Sequence, residues 1–535
     1  MTTLKSKLDI SSESFQRNEK AMVEAISEFR AIEKRVADTA KAKEARYRKR
    51  GLLSPKERLG HLLDAGAPFL ELSTLCGYLQ EGDKDGSDAG GHMIGGLGYV
   101  EGVLCVVLVD DYLTKGGTLT KLGGEKRRRL MTLAMNHKLP LLSLSQSGGG
   151  DLTSLGDWFG FSGAAFALQC RLSAQGIPQI SVVHGSATAG GAYQPGLSDY
   201  VIMVRNQSTV YLAGPPLLKA ATGEIATDEE IGGAEMHAQI AGTADYIAEN
   251  DADGIRLARE VTAKLNWDRG SNDLKEYAEP NYDSKELLGV VPEDPRTPYD
   301  VREILARIAD GSDFVEFKAE YDIGTVCGHI DIFGISCGVI GNNAPITAKG
   351  AAKAGQFVQL CEQSGTPLVF LHNTTGFIVG TESEQAGIIK HGAKMIQAVT
   401  NSTVDKISII VGGSYGAGNY AMCGRGIDPN FIFAWPRSVV SVMGPAQAGS
   451  VVRTVAEAKM KRLGVVDETK LEQIENGTKA AMEARSGALV NSARLWDDGL
   501  IDPRDTRAIL GFALQVCRDG RLRKTRKTTF GVGRL

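Results

Sequence analysis

The strongest constraint on what this chain can fold into is that its middle is written twice, 227 residues apart. Ile180-Ser181-Val182-Val183 returns as Ile407-Ser408-Ile409-Ile410, and Pro140-Leu141-Leu142 returns at the same offset as Pro367-Leu368-Val369. Each apolar run is followed by a glycine turn, Ser147-Gly148-Gly149-Gly150 in the first copy and Thr374-Thr375-Gly376-Phe377 in the second. A second glycine turn follows in each, Thr188-Ala189-Gly190-Gly191-Ala192-Tyr193 and Tyr415-Gly416-Ala417-Gly418-Asn419-Tyr420. Four features in constant order and spacing indicate a duplicated domain. The period is far too long for a solenoid.

Around these landmarks, short apolar runs (Val103–Val109, Leu139–Leu144, Gln179–Val183) alternate with glycine clusters and helical stretches. That texture predicts an α/β fold with buried strands in each copy. At 535 residues the chain exceeds one compact domain. Pro280, Pro292, Pro295 and Pro298, set among acidic residues, mark the best boundary, so the division is expected at 1–280 and 281–535. Residues 11–66 read as helical, with Lys56-Glu57-Arg58-Leu59 opening a second short helix after a longer amphipathic one.

Charge and cysteines exclude several classes. Lysine and arginine total 60 against 64 acidic residues, which argues against a nucleic-acid-binding surface. The eight cysteines include no Cys-x-x-Cys pair and no zinc-ribbon spacing, so no metal is expected in this chain. They read as reduced thiols, the N-terminus lacks the apolar core of a signal peptide, and no apolar run is long enough to span a bilayer. The expectation is a cytoplasmic protein without membrane attachment.

Glycine supplies 64 of the 535 residues, well above the usual ~7%. A glycine turn after a buried strand, leading into a helix, offers backbone N–H groups and the positive end of the helix dipole to an anion. Helices are expected over Ala192–Ser198 and Asn419–Arg425. Gly185–Pro195 and Val411–Met422 contain no Asp, Glu, His, Lys, Arg or Cys. Walls built this way provide backbone donors for a developing enolate or oxyanion and leave the base to a cofactor or substrate.

Three other motifs compete. Gly412-Gly413-Ser414-Tyr415-Gly416 matches the nucleophile elbow, but that hydrolase order needs a histidine after the serine, and the last histidine is His391. Gly416-Ala417-Gly418-Asn419-Tyr420-Ala421 matches a relaxed dinucleotide pattern without its downstream acidic residue, and a Walker A sequence is absent. His372, beside the Thr374-Thr375-Gly376 turn, reads as structural. Lys121, Lys126, Arg127, Arg128 and Arg129 form a basic cluster that is either a solvated helix face or a contact for coenzyme A phosphates.

Six separated blocks then resemble one family. GSATAGGAYQPGLSD (Gly185–Asp199), GPPLLKAATGE (Gly214–Glu224), HNTTGFIVGTESE (His372–Glu384), VGGSYGAGNYAMCGR (Val411–Arg425), FAWPRSVVSVMGPAQA (Phe433–Ala448) and LWDDGLIDPRDTR (Leu495–Arg507) are together similar to the carboxyltransferase (β) subunits of biotin-dependent acyl-CoA carboxylases, in the methylcrotonyl-CoA and geranyl-CoA branch. The resemblance implies two crotonase-like domains with a β-β-α superhelix, the N-terminal one binding acyl-CoA and the C-terminal one carboxybiotin. It implies that Gly191 and Ala192 donate backbone N–H groups to the thioester oxygen, and Ala417 and Gly418 to the ureido oxygen of biotin. Ser147, Gly148, Gly149 and Gly190 would line the acyl-CoA side; Thr375, Gly376, Phe377 and Gly416 would line the biotin side. The implied reaction forms an enolate or dienolate that attacks CO2.

The chain has no Ala-Met-Lys-Met biotinylation motif; Ala458-Lys459-Met460-Lys461 is out of order. The resemblance therefore implies a separate α subunit carrying biotin carboxylase and biotin carrier domains. It also implies a homohexamer whose active site lies between the N-half of one subunit and the C-half of another. The sequence departs from the family at Gln146, where an acidic residue is usual, and at Gly150-Asp151. Leu152–Phe166, which should shape the acyl pocket, matches neither branch pattern well. Trp158, Phe159 and Phe161 in it are candidates for pocket lining or for core packing. A propionyl-CoA-type carboxyltransferase, a biotin-dependent acyl-CoA decarboxylase and a crotonase-like hydratase or thioesterase stand as alternatives.

Overall fold

The computed structural model describes residues 2–151, 155–270, 276–294 and 297–533. The chain forms two compact units. One comprises Ala31–Asn272, Ala493–Leu495 and Arg518–Leu535; the other comprises Met1–Arg30, Asp273–Ser492 and Trp496–Cys517. The chain ends are therefore exchanged: residues up to 30 pack with the later copy, and the last stretch returns to the earlier one. The N-terminal segment is helical as read, a continuous helix over Glu13–Arg48 and a short one over Pro55–Leu62. Ser54 opens the second helix with a capping box to Glu57.

Each unit is built on an eight-stranded sheet. Strand β1 (Thr2–Thr3) joins the sheet of the later copy. The earlier copy supplies β2 (Phe69–Glu71), β3 (Met93–Val100), β4 (Val103–Asp110), β5 (Leu141–Ser147), β6 (Gln179–Thr188), β7 (Tyr200–Val204), β8 (Thr209–Tyr211) and β9 (Tyr246–Ala248). The later copy supplies β10 (Asp313–Glu316), β11 (Thr325–Ile332), β12 (Ile335–Asn342), β13 (Leu368–Thr374), β14 (Lys406–Tyr415), β15 (Phe431–Ala434) and β16 (Val439–Ser441). The sheet orders are β2-β3-β4-β5-β6-β7-β9 and β1-β10-β11-β12-β13-β14-β15, with β8 paired to β6 and β16 to β14.

The physical plan is the same in both. An antiparallel hairpin, β3–β4 or β11–β12, leads into parallel strands joined by crossover helices such as Lys121–His137 and Ala348–Ser364. The central strands are buried on both faces, which their continuous apolar runs require; all eight residues of β4 are buried. The duplication reaches single contacts. Leu142 pairs with Ile180, and Val369 with Ile407, each 227 residues on. Thr120 and Thr347 cap the two crossover helices by accepting from the N–H of Gly123 and Gly350. On those helices the buried Lys126 and Lys353 each reach two main-chain carbonyls, Gly90 and Met93 in one unit, Asp322 and Thr325 in the other. Among the described residues no helix is long and apolar enough to cross a membrane.

Candidate functional site: paired backbone turns

The sheet ends where the glycine turns begin, and a repeated bulge sets the exit angle. In the earlier unit the β5–β6 register slips between Ser145 and Ser147; in the later unit the β13–β14 register slips between His372 and Thr374. A bulge of this kind re-aims the strand end. Ser147 then folds the turn back: its hydroxyl donates to the Gly117 carbonyl at 2.7 Å and accepts from the Gly149 N–H at 3.1 Å. Thr374 Oγ1 plays the same part, accepting from the Gly376 N–H at 3.2 Å.

Glycine is required at the apex of these first turns. Gly149 has φ +94° and Gly376 φ +108°. A Cβ on Gly149 would lie 3.1 Å from the Thr188 carbonyl oxygen, and one on Gly376 would lie 3.2 Å from that of Tyr415. The first turn of each unit therefore lies against the start of the second. Gly191 faces Ser147 and Gly149 at ordinary contact distance, whereas a Cβ on Gly418 would sit 2.8 Å from the Gly376 Cα. Ser147, Gly149 and Gly191 are thus brought together in one unit, and Gly376 and Gly418 in the other. Gly148, Gly190, Thr375 and Ala417 are exposed at the turn surfaces; Gly149, Ala192, Gly376 and Gly418 are buried.

The second turns differ from the helices expected at Ala192–Ser198 and Asn419–Arg425. The earlier one is a 3-10 turn over Ala189–Ala192 running into Tyr193–Gly196; the later is a helix over Gly416–Ala421. Both start sooner and end sooner than the spacing suggested. The later stops because Cys423 turns left-handed at φ +61°. Entry is left-handed in both: φ is +52° at Gly416 and +55° at Ala189, where a side chain strains the backbone by about 1–2 kcal/mol. Neither Thr188 nor Tyr415 caps its helix with a side chain. First-turn amides have no partner within their own helix.

Side-chain acid–base groups behind the turns are sealed. His372 Nδ1 and Ser414 Oγ lie 2.9 Å apart and Asn419 donates to the same hydroxyl at 2.8 Å, with His372 and Ser414 fully buried. Burial lowers the His372 pKa to about 3. The nucleophile elbow thus has a histidine neighbour that the chain order concealed, but the serine is committed and enclosed. His184 is buried in the same way, with its pKa pushed down to about 4, first by burial and then by the Arg58 charge; its Nδ1 lies 2.8 Å from Asp251.

What holds the first turn from behind carries no local sequence signal. Arg58, fully buried, donates to Asp251 Oδ2 at 2.9 and 3.1 Å and to Gln146 Oε1 at 2.6 Å. The Gln146 N–H donates to Asp110 at 3.2 Å. Gln146 therefore anchors the end of β5 as a neutral partner of Arg58, whose charge Asp251 balances. The partners are 88 and 193 residues from Arg58, separations with no local signature.

In the basic cluster, Lys126 is buried on carbonyls, Arg127 pairs with Asp110, and Arg128 pairs with Glu125 at 2.6 Å. Those three are structural or locally paired. Phe159 and Phe161 are 69% and 82% exposed, so core packing does not hold for either. The side chain of Trp158, and residues 152–154 before it, lie outside the described residues. Phe166 instead approaches the turn, 5.4 Å ring to ring from Tyr193.

The carboxyl transferase domain family matches residues 46–531. A probable biotin-dependent acyl-coenzyme A carboxylase beta2 subunit of Mycobacterium tuberculosis is 45% identical over 92% of this chain and 92% of its own. A probable mitochondrial methylcrotonoyl-CoA carboxylase beta chain of Drosophila melanogaster is 40% identical over 99% and 95%. Among solved structures, the P. aeruginosa geranyl-CoA carboxylase beta subunit superposes with a TM-score of 0.94 at 55% identity, covering 100% of both chains.

Proposed function

The chain belongs to the carboxyl transferase domain family, and from that premise we propose that it carboxylates a branched or α,β-unsaturated acyl-CoA of the 3-methylcrotonyl or geranyl type. It is a carboxyltransferase of the biotin-dependent acyl-CoA carboxylase kind. The observation that carries the reading is the pair of backbone turns, repeated contact for contact at 227 residues. The substrate class follows from the relatives named above, the geranyl-CoA carboxylase beta subunit being 55% identical over the full length.

In this reading the Gly191 and Ala192 N–H groups hold the acyl thioester oxygen, and Ser147, Gly148, Gly149 and Gly190 line that side. The Ala417 and Gly418 N–H groups hold the ureido oxygen of biotin between Gly416 and the Thr375–Phe377 turn. The later turn fits such a group: Gly376 and Gly418 leave no side chain in the cradle, and the helix start keeps its amides uncapped. The biotin ring, when bound, supplies the carboxyl group and the proton acceptor. The chain's own contribution is to fix two oxygens and stabilise the charge that develops on each, about 2.7–4 kcal/mol per donor. Buried, neutral His184 and His372 take no proton from the substrate.

The reading includes a separate biotin-carrying α subunit, a homohexamer with the site completed by a second copy, and a cytoplasmic location. Carboxylation of an acyl-CoA panel with the cognate α subunit tests it. Product from 3-methylcrotonyl-CoA or geranyl-CoA is expected; product from propionyl-CoA alone would reassign the substrate, and no product from any acyl-CoA would end the carboxylase reading.

A further inference from the structure

The bulge that ends each central strand pair has the same make-up in both units. In the earlier unit Ser145 pairs with Val183 and Ser147 with Ala187, so His184, Gly185 and Ser186 stand opposite Gln146 alone. In the later unit His372 pairs with Ile410 and Thr374 with Ser414, so Val411, Gly412 and Gly413 stand opposite Asn373 alone. The single residue carries a carboxamide both times, and the middle residue facing it is glycine both times, at the 227-residue offset.

The amide and the glycine touch. A Cβ on Gly185 would lie 2.6 Å from Gln146 Nε2, and one on Gly412 would lie 2.5 Å from Asn373 Oδ1. Each amide thus fills the place of the missing Cβ. Each is also tied from behind: Gln146 Oε1 accepts from Arg58 Nη1 at 2.6 Å, and Asn373 Nδ2 donates to the Asn342 carbonyl at 3.3 Å. A carboxamide suits both tasks, being flat enough to lie on a glycine and polar at its edge.

Both turns of a unit leave from this contact. Ser147 and Thr374, which fold the first turns, follow the amides directly; Gly185 and Gly412 run through β6 and β14 into the second turns. A slip at the contact therefore shifts one turn against the other, and a misplacement of about 1 Å in a site costs on the order of 10²-fold in rate. We propose that Gln146 and Asn373 are positioning residues for carboxyl transfer, each locking the first turn of its unit to the second. The proposal rests on the carboxylation reading for which substrate each lock serves: Gln146 the acyl-CoA, Asn373 the biotin.

Two measurements on the full-length chain test it. Gln146→Met keeps the side-chain length but removes the acceptor for Arg58. Hydrogen exchange of the Gly149 N–H should then quicken about tenfold or more while that of Gly376 stays at the wild-type rate. Asn373→Leu, close to isosteric, should do the reverse. Kinetics are read in the direction that moves the carboxyl group of carboxylated 3-methylcrotonyl-CoA or geranyl-CoA to free biotin, a proton returning to the carbon that loses it. Gln146→Met should raise the KM for the acyl-CoA about tenfold and leave that for biotin within about twofold, and Asn373→Leu the opposite. Gln146→Glu, which keeps an oxygen for Arg58, should return toward wild type. A merely structural loss lowers the active fraction, and so kcat, with both KM values unchanged. That result, KM values that rise together, or unchanged exchange in both variants would overturn the proposal. If one variant fails to fold, the other decides. A wild type that transfers no carboxyl group would end the carboxylation reading instead, and the exchange rates alone would then decide whether the two amides lock the turns.

Discussion

At the scale of single residues, the turns work by what is missing. Gly418 admits no side chain, because a Cβ would meet the Gly376 Cα at 2.8 Å. Gly418→Val should therefore distort the later turn and reduce biotin-dependent turnover by about 10²-fold or more, while acyl-CoA binding, measured by titration, stays near wild type. Equal loss of both would mean a general folding defect. Asp497 gives a prediction of a different kind. Burial pushes its pKa up to about 7 against the pull of Ser492, Arg425 and Gly499, and one carboxylate oxygen has no partner. Between the unfolded value of 3.8 and about 7 the folded state holds a proton that the unfolded state releases. Stability from this group thus falls as pH rises through that window, by up to about 1.4 kcal/mol per pH unit. Asp497→Asn lacks the term, so its melting temperature should gain on the wild type between pH 5 and pH 8. A gap that does not widen with pH would show that Asp497 is already ionised at pH 5.

At the scale of elements, the buried lysines show how one solution serves two copies. Lys353 Nζ donates to the Thr325 carbonyl at 2.6 Å and reaches that of Asp322 at 3.4 Å, tying a crossover helix to the start of β11. Lys353→Met keeps the length of the side chain but leaves carbonyls unpaired in a buried site. A loss of about 1–3 kcal/mol is expected in urea unfolding. The same change at Lys126 should cost a similar amount, because Gly90 and Met93 occupy the matching places. The strands, the crossover helices and the turn positions were legible because buried parallel strands and glycine turns carry local signals. The lengths of the short helices were not, since left-handed residues such as Cys423 end them without a sequence signature.

At the scale of the whole molecule, the proposed reading gives this chain both sets of backbone donors and leaves biotin to a separate subunit, the sequence having no Ala-Met-Lys-Met motif. ATP-dependent carboxylation of any acyl-CoA should be undetectable with this chain alone and appear when a biotin-carrying α subunit is added. Activity of the isolated chain with ATP and bicarbonate would contradict that division of labour. The exchange of chain ends also belongs to this scale. A reader of the sequence places residues 1–66 with the copy they precede, whereas those up to 30 pack with the later unit and Arg518–Leu535 with the earlier one.

By itself the sequence determined the duplication, the α/β texture, the two pairs of turns and the family resemblance. These are written in local patterns: apolar runs for doubly buried strands, and glycine where φ must be positive or no Cβ fits. Only the tertiary structure decided what stands behind the turns. Arg58, Gln146 and Asp251 meet across 88 and 193 residues, and His372 finds Ser414 against the order a hydrolase would need. It also decided that Phe159 and Phe161 point outward. Such partnerships arise from packing between distant segments, and no local propensity records which distant side chain will fill, or leave open, the space beside a given residue.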